Sequence, residues 1–247
     1  MHLDTICKSS AYFRQIFQPN RKEVEGECSV CHEDLWPDIQ EITFCKEQCG
    51  ANFHLPCINK WIAQSRGRTN CPHCRRFWNC NFLYKHSLPD VNEYSFEMYV
   101  EWLYHARILA TPPEEGNCYS ELIDAYAVGM RFENEDFCNA ILHAIVEVIE
   151  DDEDYPTEDE VTMAYNKTNG HCGLRELLVS VYVKLCPGEE EVKFDDMWEK
   201  LPEPFRRDLF MALMENAPVL EDRTETTEAL RDDIPPPDMS DVRATGF

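Results

Sequence analysis

Long apolar runs are absent from this sequence of 247 residues. No stretch reaches 18 consecutive apolar residues, which is the length at which a segment becomes a transmembrane candidate, so we expect no membrane partner. The first ten residues also lack the apolar segment of a secretory signal. A cytoplasmic or nuclear location is therefore expected. Without export, the 13 Cys are better interpreted as metal ligands than as a disulfide framework.

Basic residues are scarce. The chain has 23 Lys and Arg against 47 Asp and Glu, a net charge of −24. This balance argues against a nucleic-acid partner, because nonspecific binding needs cations that face phosphates. The charge is also uneven, since residues 28–80 carry six basic and five acidic side chains and eight of the 13 Cys. A nearly neutral, Cys-rich module is thus followed by an acidic region.

Seven Cys and one His of this module form four close pairs. A zinc ion takes about four such ligands in a tetrahedron, so eight ligands predict two zinc ions. The alternative is that these Cys are small buried apolar side chains, but four pairs at ligand spacing favour metal. A segment this short buries little core, so zinc would supply most of its folding free energy. The pairs are Cys28-x2-Cys31, Cys45-x3-Cys49, His54-x2-Cys57 and Cys71-x2-Cys74.

The ligand order fits both the RING finger and the PHD finger, and the residues between the ligands distinguish them. A PHD finger usually has an aromatic residue two positions before its seventh ligand, where this chain has Thr69. Trp61 instead lies four residues after the sixth ligand, and Cys71-Pro-His-Cys-Arg75 follows. Residues 28–78 therefore resemble a RING domain. A PHD-like reader of histone tails remains the weaker alternative.

The RING resemblance implies a cross-brace of two structural zinc ions. Ala51 stands where many RING domains have a His ligand, and Cys45 restores the count. Each zinc would then have four protein ligands, which leaves no open position for hydrolytic chemistry. The implied sets are Cys28, Cys31, His54 and Cys57 for zinc 1, and Cys45, Cys49, Cys71 and Cys74 for zinc 2.

The same resemblance implies an interface for a ubiquitin-conjugating enzyme. The family's contact positions fall on Val30, Trp61 and Pro72, and its linchpin position falls on Arg75. A guanidinium can donate several hydrogen bonds at once, here to the conjugating enzyme and to ubiquitin. Catalysis would then be orientation and electrostatics, without a covalent intermediate on this chain.

The flanks of the RING-like segment resemble parts of a BTB (POZ) domain of the kind found in fungal proteins. The motifs are the stretch from Met1 to Phe17, the segment Phe96–Tyr104 and the element Ala125–Phe132. The first hairpin of that family has no counterpart, which predicts an incomplete sheet. The resemblance makes a homodimer a further hypothesis, whereas cullin binding is not expected. The expected divisions are 1–20 (BTB-like fragment), 28–78 (RING), 87–150 (BTB-like helices), 151–218 (helical extension) and 219–247 (disordered tail).

Apolar periodicity predicts that residues 91–217 are helical without reference to any family. Ser10 is expected to cap an early helix, and Thr157 and Glu160 form a capping box. The predicted buried faces are Phe96, Val100, Leu103 and Tyr104; Leu122, Ile123, Tyr126 and Met130; Phe137, Ile141, Ile145 and Val148; Leu174, Leu177, Leu178, Val181 and Leu185; and Phe205, Leu209, Phe210 and Leu213.

These observations predict a small zinc-stabilised α+β RING cross-brace plus a mainly α-helical BTB-like region with an incomplete sheet. The favoured function is a RING-type ubiquitin ligase that recruits a conjugating enzyme and ubiquitin to an unidentified protein substrate. The BTB-like region would mediate protein–protein interaction. The alternative is a zinc-binding interaction or scaffold protein without ligase activity.

Overall fold

The computed structural model describes residues 3–37, 39–65, 69–79, 86–108, 118–152, 155–185 and 198–214. The chain divides into two compact units, with the boundary between Pro89 and Asp90. We call the first the Cys-rich unit and the second the helical unit. No helix among the described residues is long and apolar enough to cross a membrane. The predicted tail, residues 219–247, lies outside the described residues.

Short elements make up the Cys-rich unit. Two strands pair antiparallel, with Ile42 opposite His54 and Phe44 opposite Asn52. A helix follows the second strand directly and has a Pro in its first turn, where a missing backbone N–H costs nothing. The elements are α1 (Leu3–Ser9), α2 (Ala11–Phe17), β1 (Ile42–Phe44), β2 (Asn52–His54) and α3 (Leu55–Gln64).

Besides Ile6, Phe13 and Phe44, the Cys-rich unit buries one small apolar cluster around the Cys pairs. The large buried side chains of this cluster are Leu35, Phe53, Ile58 and Trp78, and the rings of Phe53 and Trp78 meet edge to face at 5.7 Å. The remaining buried members are thiols of Cys28, Cys45 and Cys71. A core of this size stabilises a fold weakly by itself.

The two N-terminal helices belong to this unit. Ser10 separates them, and its hydroxyl accepts a hydrogen bond from the Phe13 backbone N–H at 3.2 Å, which confirms the predicted N-cap. Arg21 connects the helices to the hairpin. Its Nε donates to Asn52 Oδ1 at 3.0 Å, its guanidinium lies 4.9 Å from the Phe44 ring centroid, and it pairs with Asp4 at 3.1 Å.

Long amphipathic helices build the helical unit. Its first core cluster is aromatic, since the Tyr99 ring lies 5.1 Å from Phe132 and 5.0 Å from Phe137. Trp102 adds a ring 5.3 Å from Phe137. The helices are α4 (Glu93–His105), α5 (Cys118–Arg131), α6 (Glu135–Asp152), α7 (Glu158–Lys167), α8 (Gly173–Leu185) and α9 (Glu203–Met214).

A second aromatic cluster joins the last three helices. The Phe205 ring of α9 lies 5.5 Å from Tyr165 of α7 and 5.0 Å from Tyr182 of α8. The predicted capping box at the start of α7 is present, because the Thr157 backbone N–H donates to the Glu160 carboxylate. These contacts join α7, α8 and α9 through one aromatic cluster.

The structure agrees with part of the predicted fold class. The structure has a Cys-rich region with a two-stranded sheet. The described residues from Asp90 onward form α-helices and no strands. The BTB-like interpretation of the flanks is not confirmed. The buried face of α4 also differs from the expected one, because Ser95, Met98, Tyr99, Trp102 and Leu103 are buried while Phe96, Val100 and Tyr104 are only half-buried.

Candidate metal centre

The first Cys pair lies in a tight turn. The Cys28 backbone N–H donates to the Glu33 carbonyl at 2.8 Å, and the His32 N–H donates back to the Cys28 carbonyl at 2.8 Å. His32 closes the turn with a positive φ of 62°, a conformation that is uncommon for residues other than Gly. The turn brings Cys28 and Cys31 to the same side of the chain.

The last Cys pair repeats this turn. The Cys71 N–H donates to the Arg76 carbonyl at 2.7 Å, and the Arg75 N–H donates to the Cys71 carbonyl at 2.9 Å. Arg75 has a φ of 63°, the same left-handed conformation that closes the first turn. The two Cys-x2-Cys segments therefore adopt the same backbone geometry, in which the residue directly after the second Cys is left-handed.

The two middle pairs lie at opposite ends of β2, and the first of them, Cys45 and Cys49, lies in the connection between β1 and β2. Gly50 follows Cys49 with a φ of 65°, and the Cys45 N–H donates to the Ala51 carbonyl at 3.0 Å. A Cβ on Gly50 would lie only 1.6 Å from the Asn20 carbonyl oxygen, so this position admits only Gly. At the other end of β2, His54 is the last residue of the strand, and Cys57 lies in the first turn of α3.

The eight side chains form two separate clusters, and in each the ligand atoms all lie within 4.8 Å of one another. The sets are the two that the RING resemblance implies, and they alternate along the chain. We call them the histidine site (Cys28, Cys31, His54 and Cys57) and the cysteine site (Cys45, Cys49, Cys71 and Cys74). His32 and His73 lie outside both and are exposed.

The atom spacing fits zinc. Zn–S bonds of about 2.3 Å and Zn–N bonds of about 2.0–2.1 Å place ligand atoms of a tetrahedron about 3.6–3.8 Å apart. The Cys45 and Cys74 sulfurs are 3.9 Å apart, and those of Cys49 and Cys71 are 3.7 Å apart. In the histidine site, Nδ1 lies 3.3 Å from one sulfur and 3.8 Å from another. Each cluster could therefore hold one zinc ion with four protein ligands.

The protein environment alone does not ionise all of these thiols. Burial, followed by the neighbouring Cys31 thiol, raises the pKa of Cys57 to about 11. Burial also opposes ionisation of Cys28, but hydrogen bonds from the backbone N–H groups of Val30 and His54 lower its pKa. The three thiols of the histidine site and the four of the cysteine site can ionise together only beside a cation, which is the electrostatic condition that a divalent metal satisfies.

The His54 ring is oriented by hydrogen-bond partners at its Nε2, the nitrogen that faces away from the sulfurs. Its Nε2 lies 2.8 Å from the amide oxygen of Gln40 and 3.1 Å from the Asp34 carbonyl oxygen, while Nδ1 faces the sulfurs. Outer hydrogen-bond partners of this kind orient a ligating His. Sequence reasoning did not identify Gln40, because its role depends on the conformation of the loop that carries it.

The expected interface residues are placed as follows. Trp61 is 41% exposed, and its indole N–H donates to the Asn70 carbonyl at 2.9 Å. This bond ties Trp61 to the turn that carries Pro72 and the exposed Arg75. Val30 lies in the other Cys turn and packs against the core.

Comparisons with known proteins match part of the chain. It is 33% identical over 91 residues to the bovine (Bos taurus) "Non-structural maintenance of chromosomes element 1 homolog", covering 37% of this chain and 28% of that protein. It is 35% identical over 51 residues to "Alcohol-sensitive RING finger protein 1" of Eremothecium gossypii, covering 21% and 14%. It is 42% identical over 53 residues to "E3 ubiquitin-protein ligase trul-1" of Caenorhabditis elegans, covering 22% and 10%.

The chain spans less than a third of the length of each of these relatives. No family model matches it, and no solved structure matches it either. The comparisons thus relate part of the chain to proteins named as RING finger proteins and E3 ubiquitin-protein ligases. Together with the two clusters, they identify a RING-like zinc-binding region.

Proposed function

We propose that this protein is a RING-type ubiquitin ligase with two structural zinc ions. The observation that carries the proposal is the pair of alternating four-ligand clusters. The names of partial relatives support it. Zinc in closed four-ligand sites would supply folding free energy and fix the loops that carry the interface.

The proposed interface lies around the two Cys turns. Val30, Trp61 and Pro72 would contact a ubiquitin-conjugating enzyme, with Trp61 as the aromatic anchor. The Trp61–Asn70 bond supports this role, because it immobilises an exposed ring beside the turn. A side chain held before binding loses less conformational entropy when a partner arrives.

Arg75 is proposed as the linchpin. Its left-handed backbone fixes the point from which its exposed guanidinium extends, and that group would donate hydrogen bonds to the conjugating enzyme and to ubiquitin. The amine of a substrate Lys would attack the thioester carbonyl carbon, forming a C–N bond as the C–S bond breaks. The thiolate of the conjugating enzyme leaves, and the Lys nitrogen loses a proton. Arg75 contributes orientation and charge stabilisation, with no covalent step.

The helical unit is proposed to bind the protein substrate or an assembly partner. It has its own core of aromatic rings that meet edge to face, and residues 90–150 carry two basic and thirteen acidic side chains. Self-association through this unit is a further proposal, which the molar mass of the intact protein in solution would test.

Self-ubiquitination with a panel of conjugating enzymes tests the ligase proposal. Trp61→Ala should lower the rate about 30-fold, from a loss of about 2 kcal/mol of binding. Arg75→Ala should lower the rate at saturating conjugating enzyme, because it acts on the bound thioester. Trp36→Ala and Arg76→Ala are matched controls, since both side chains are exposed in the same unit.

Ubiquitin transfer by wild type that both test variants lose and both controls retain would support the proposal. Absence of transfer with every conjugating enzyme would instead favour a zinc-binding scaffold without ligase activity. Binding of a histone-tail peptide, measured by titration, would favour the PHD-like alternative.

A further inference from the structure

We propose that Gln40 is a positioning residue for the histidine site: its amide oxygen selects the His54 tautomer that presents Nδ1 to the metal. The inference rests on the zinc-binding part of the proposed function. It concerns a residue that belongs to neither of the two four-residue clusters.

The identity of the contacting amide atom follows from a second hydrogen bond. The backbone N–H of Trp36 donates to the same Gln40 atom at 2.9 Å. A backbone N–H can only donate, so the atom that receives it is the amide oxygen, which can only accept. His54 Nε2, at 2.8 Å from that oxygen, must therefore be its protonated nitrogen.

This assignment fixes the tautomer of the ring. A neutral imidazole carries one N–H and one lone pair, so a proton on Nε2 leaves the lone pair on Nδ1. Nδ1 is the nitrogen that lies 3.3 Å from the Cys31 sulfur. His54 is only 6% exposed, so the protein itself must supply the acceptor behind the ring.

Gln40 is itself held in place. Its backbone N–H donates to the Trp36 carbonyl at 2.9 Å, while its side chain accepts from the Trp36 N–H. These two bonds link Gln40 to Trp36 and direct the amide oxygen at the His54 ring. The Asp34 carbonyl at 3.1 Å is a second acceptor, so loss of Gln40 should weaken the site without abolishing it.

Zinc release from the zinc-loaded 247-residue chain tests the inference. Gln40→Leu removes the acceptor at nearly constant volume, and Gln40→Glu keeps an acceptor of the same length. Gln64→Leu is the matched control, because Gln64 is exposed at the end of α3. The readout is the rate at which an excess of a chromogenic chelator takes up zinc, together with the total zinc per chain.

We expect Gln40→Leu to release zinc about tenfold faster than wild type, at the low end of the effect of outer hydrogen-bond partners. Gln40→Glu should release it at the wild-type rate or more slowly, and Gln64→Leu at the wild-type rate. Equal rates for wild type and Gln40→Leu would overturn the inference, and so would a Gln40→Glu rate as fast as that of Gln40→Leu. If Gln40→Leu does not fold, Gln40→Asn replaces it, because its shorter side chain withdraws the oxygen.

Nitrogen-15 NMR of zinc-loaded wild type and Gln40→Leu gives a readout that packing alone does not move. Both proteins should carry the His54 proton on Nε2, but in Gln40→Leu this proton should exchange faster with water because its acceptor is removed. Equal exchange in the two proteins would refute the inference. A wild type that holds no zinc would refute the proposed zinc sites themselves. Two zinc ions per chain with no effect of Gln40→Leu would refute only the role of Gln40.

Discussion

The two units of this protein reach a defined structure by different means. The Cys-rich unit has strands of three residues, a small apolar core and turns closed by left-handed residues. Its two clusters of potential metal ligands bring together residues that are far apart in the sequence. The helical unit has helices of 10 to 18 residues whose apolar stripes bury one another. Ligand spacing therefore organises one unit, and apolar periodicity organises the other.

Metal removal should separate the two units most clearly. With excess chelator we expect the Cys-rich unit to unfold, because structural zinc contributes apparent binding energies of about 10–16 kcal/mol in small zinc domains. The helical unit should keep its helices. Hydrogen exchange measured by mass spectrometry should show protection lost in β1, β2 and α3 but retained in α5 and α6.

A chelator that has been saturated with zinc beforehand is the control, and it should leave the hydrogen-exchange protection of both units unchanged. Protection that persists in β1 and β2 without metal would show that the small core suffices. Loss of protection in α5 and α6 at the same time would show that the units unfold as one.

A substitution in the core of the helical unit should have the opposite effect: it should destabilise the helical unit and leave the Cys-rich unit folded. Phe137 is fully buried among aromatic rings, so Phe137→Ala should destabilise the helical unit by about 3–5 kcal/mol. Phe210→Ala is the matched control, since Phe210 is 55% exposed and its loss should cost within about 0.5 kcal/mol. Denaturant unfolding followed by circular dichroism measures both. Zinc content per chain should match wild type in each variant, and a fall in zinc for Phe137→Ala would contradict the separation.

The clusters could be foreseen from the sequence because metal chemistry constrains spacing directly. Two residues between Cys28 and Cys31, or between Cys71 and Cys74, suffice to form the turn whatever the residues between them. Gln40 could not be foreseen, since its contact with His54 depends on the conformation of a loop. The left-handed backbone of Arg75 could not be predicted either, because the residue that usually indicates this conformation is Gly.

The helices were predictable, but their buried faces were predicted less well. In α4, Glu93, Glu97 and Glu101 recur every four residues and mark the solvent face. The helical period places Val100 beside this stripe and Trp102 opposite it, so the charged residues, rather than the apolar ones, indicate the buried face of this helix. On α9, Phe205 and Leu209 are buried as expected, whereas Phe210 and Leu213 are exposed. The aromatic cluster with Tyr165 and Tyr182 buries one side of α9. The periodicity of the apolar residues does not show that Phe210 and Leu213 lie outside this buried side.

The smallest expected effect concerns an exposed charge pair of the helical unit. Lys200 Nζ donates to Glu158 Oε1 at 2.9 Å, with side chains 63% and 26% exposed. That hydrogen bond, and one from the backbone N–H of Glu158, lower the pKa of the carboxyl. A group whose folded pKa is depressed stabilises the fold above its unfolded pKa, about 4.3 for Glu, and loses that contribution as pH falls through the folded value.

Lys200→Met should therefore destabilise the helical unit by at most about 1 kcal/mol at neutral pH. Its difference from wild type should shrink as pH falls below the folded pKa of Glu158, and also as salt rises. Denaturant unfolding at several pH values, in a double-mutant cycle with Glu158→Gln, isolates the pair. A coupling energy that stays constant through the acid range would show that the Lys200 methylenes, rather than its charge, stabilise this end of α7. The helical unit would then depend on apolar contact even at its charged surface, which would widen its contrast with the Cys-rich unit.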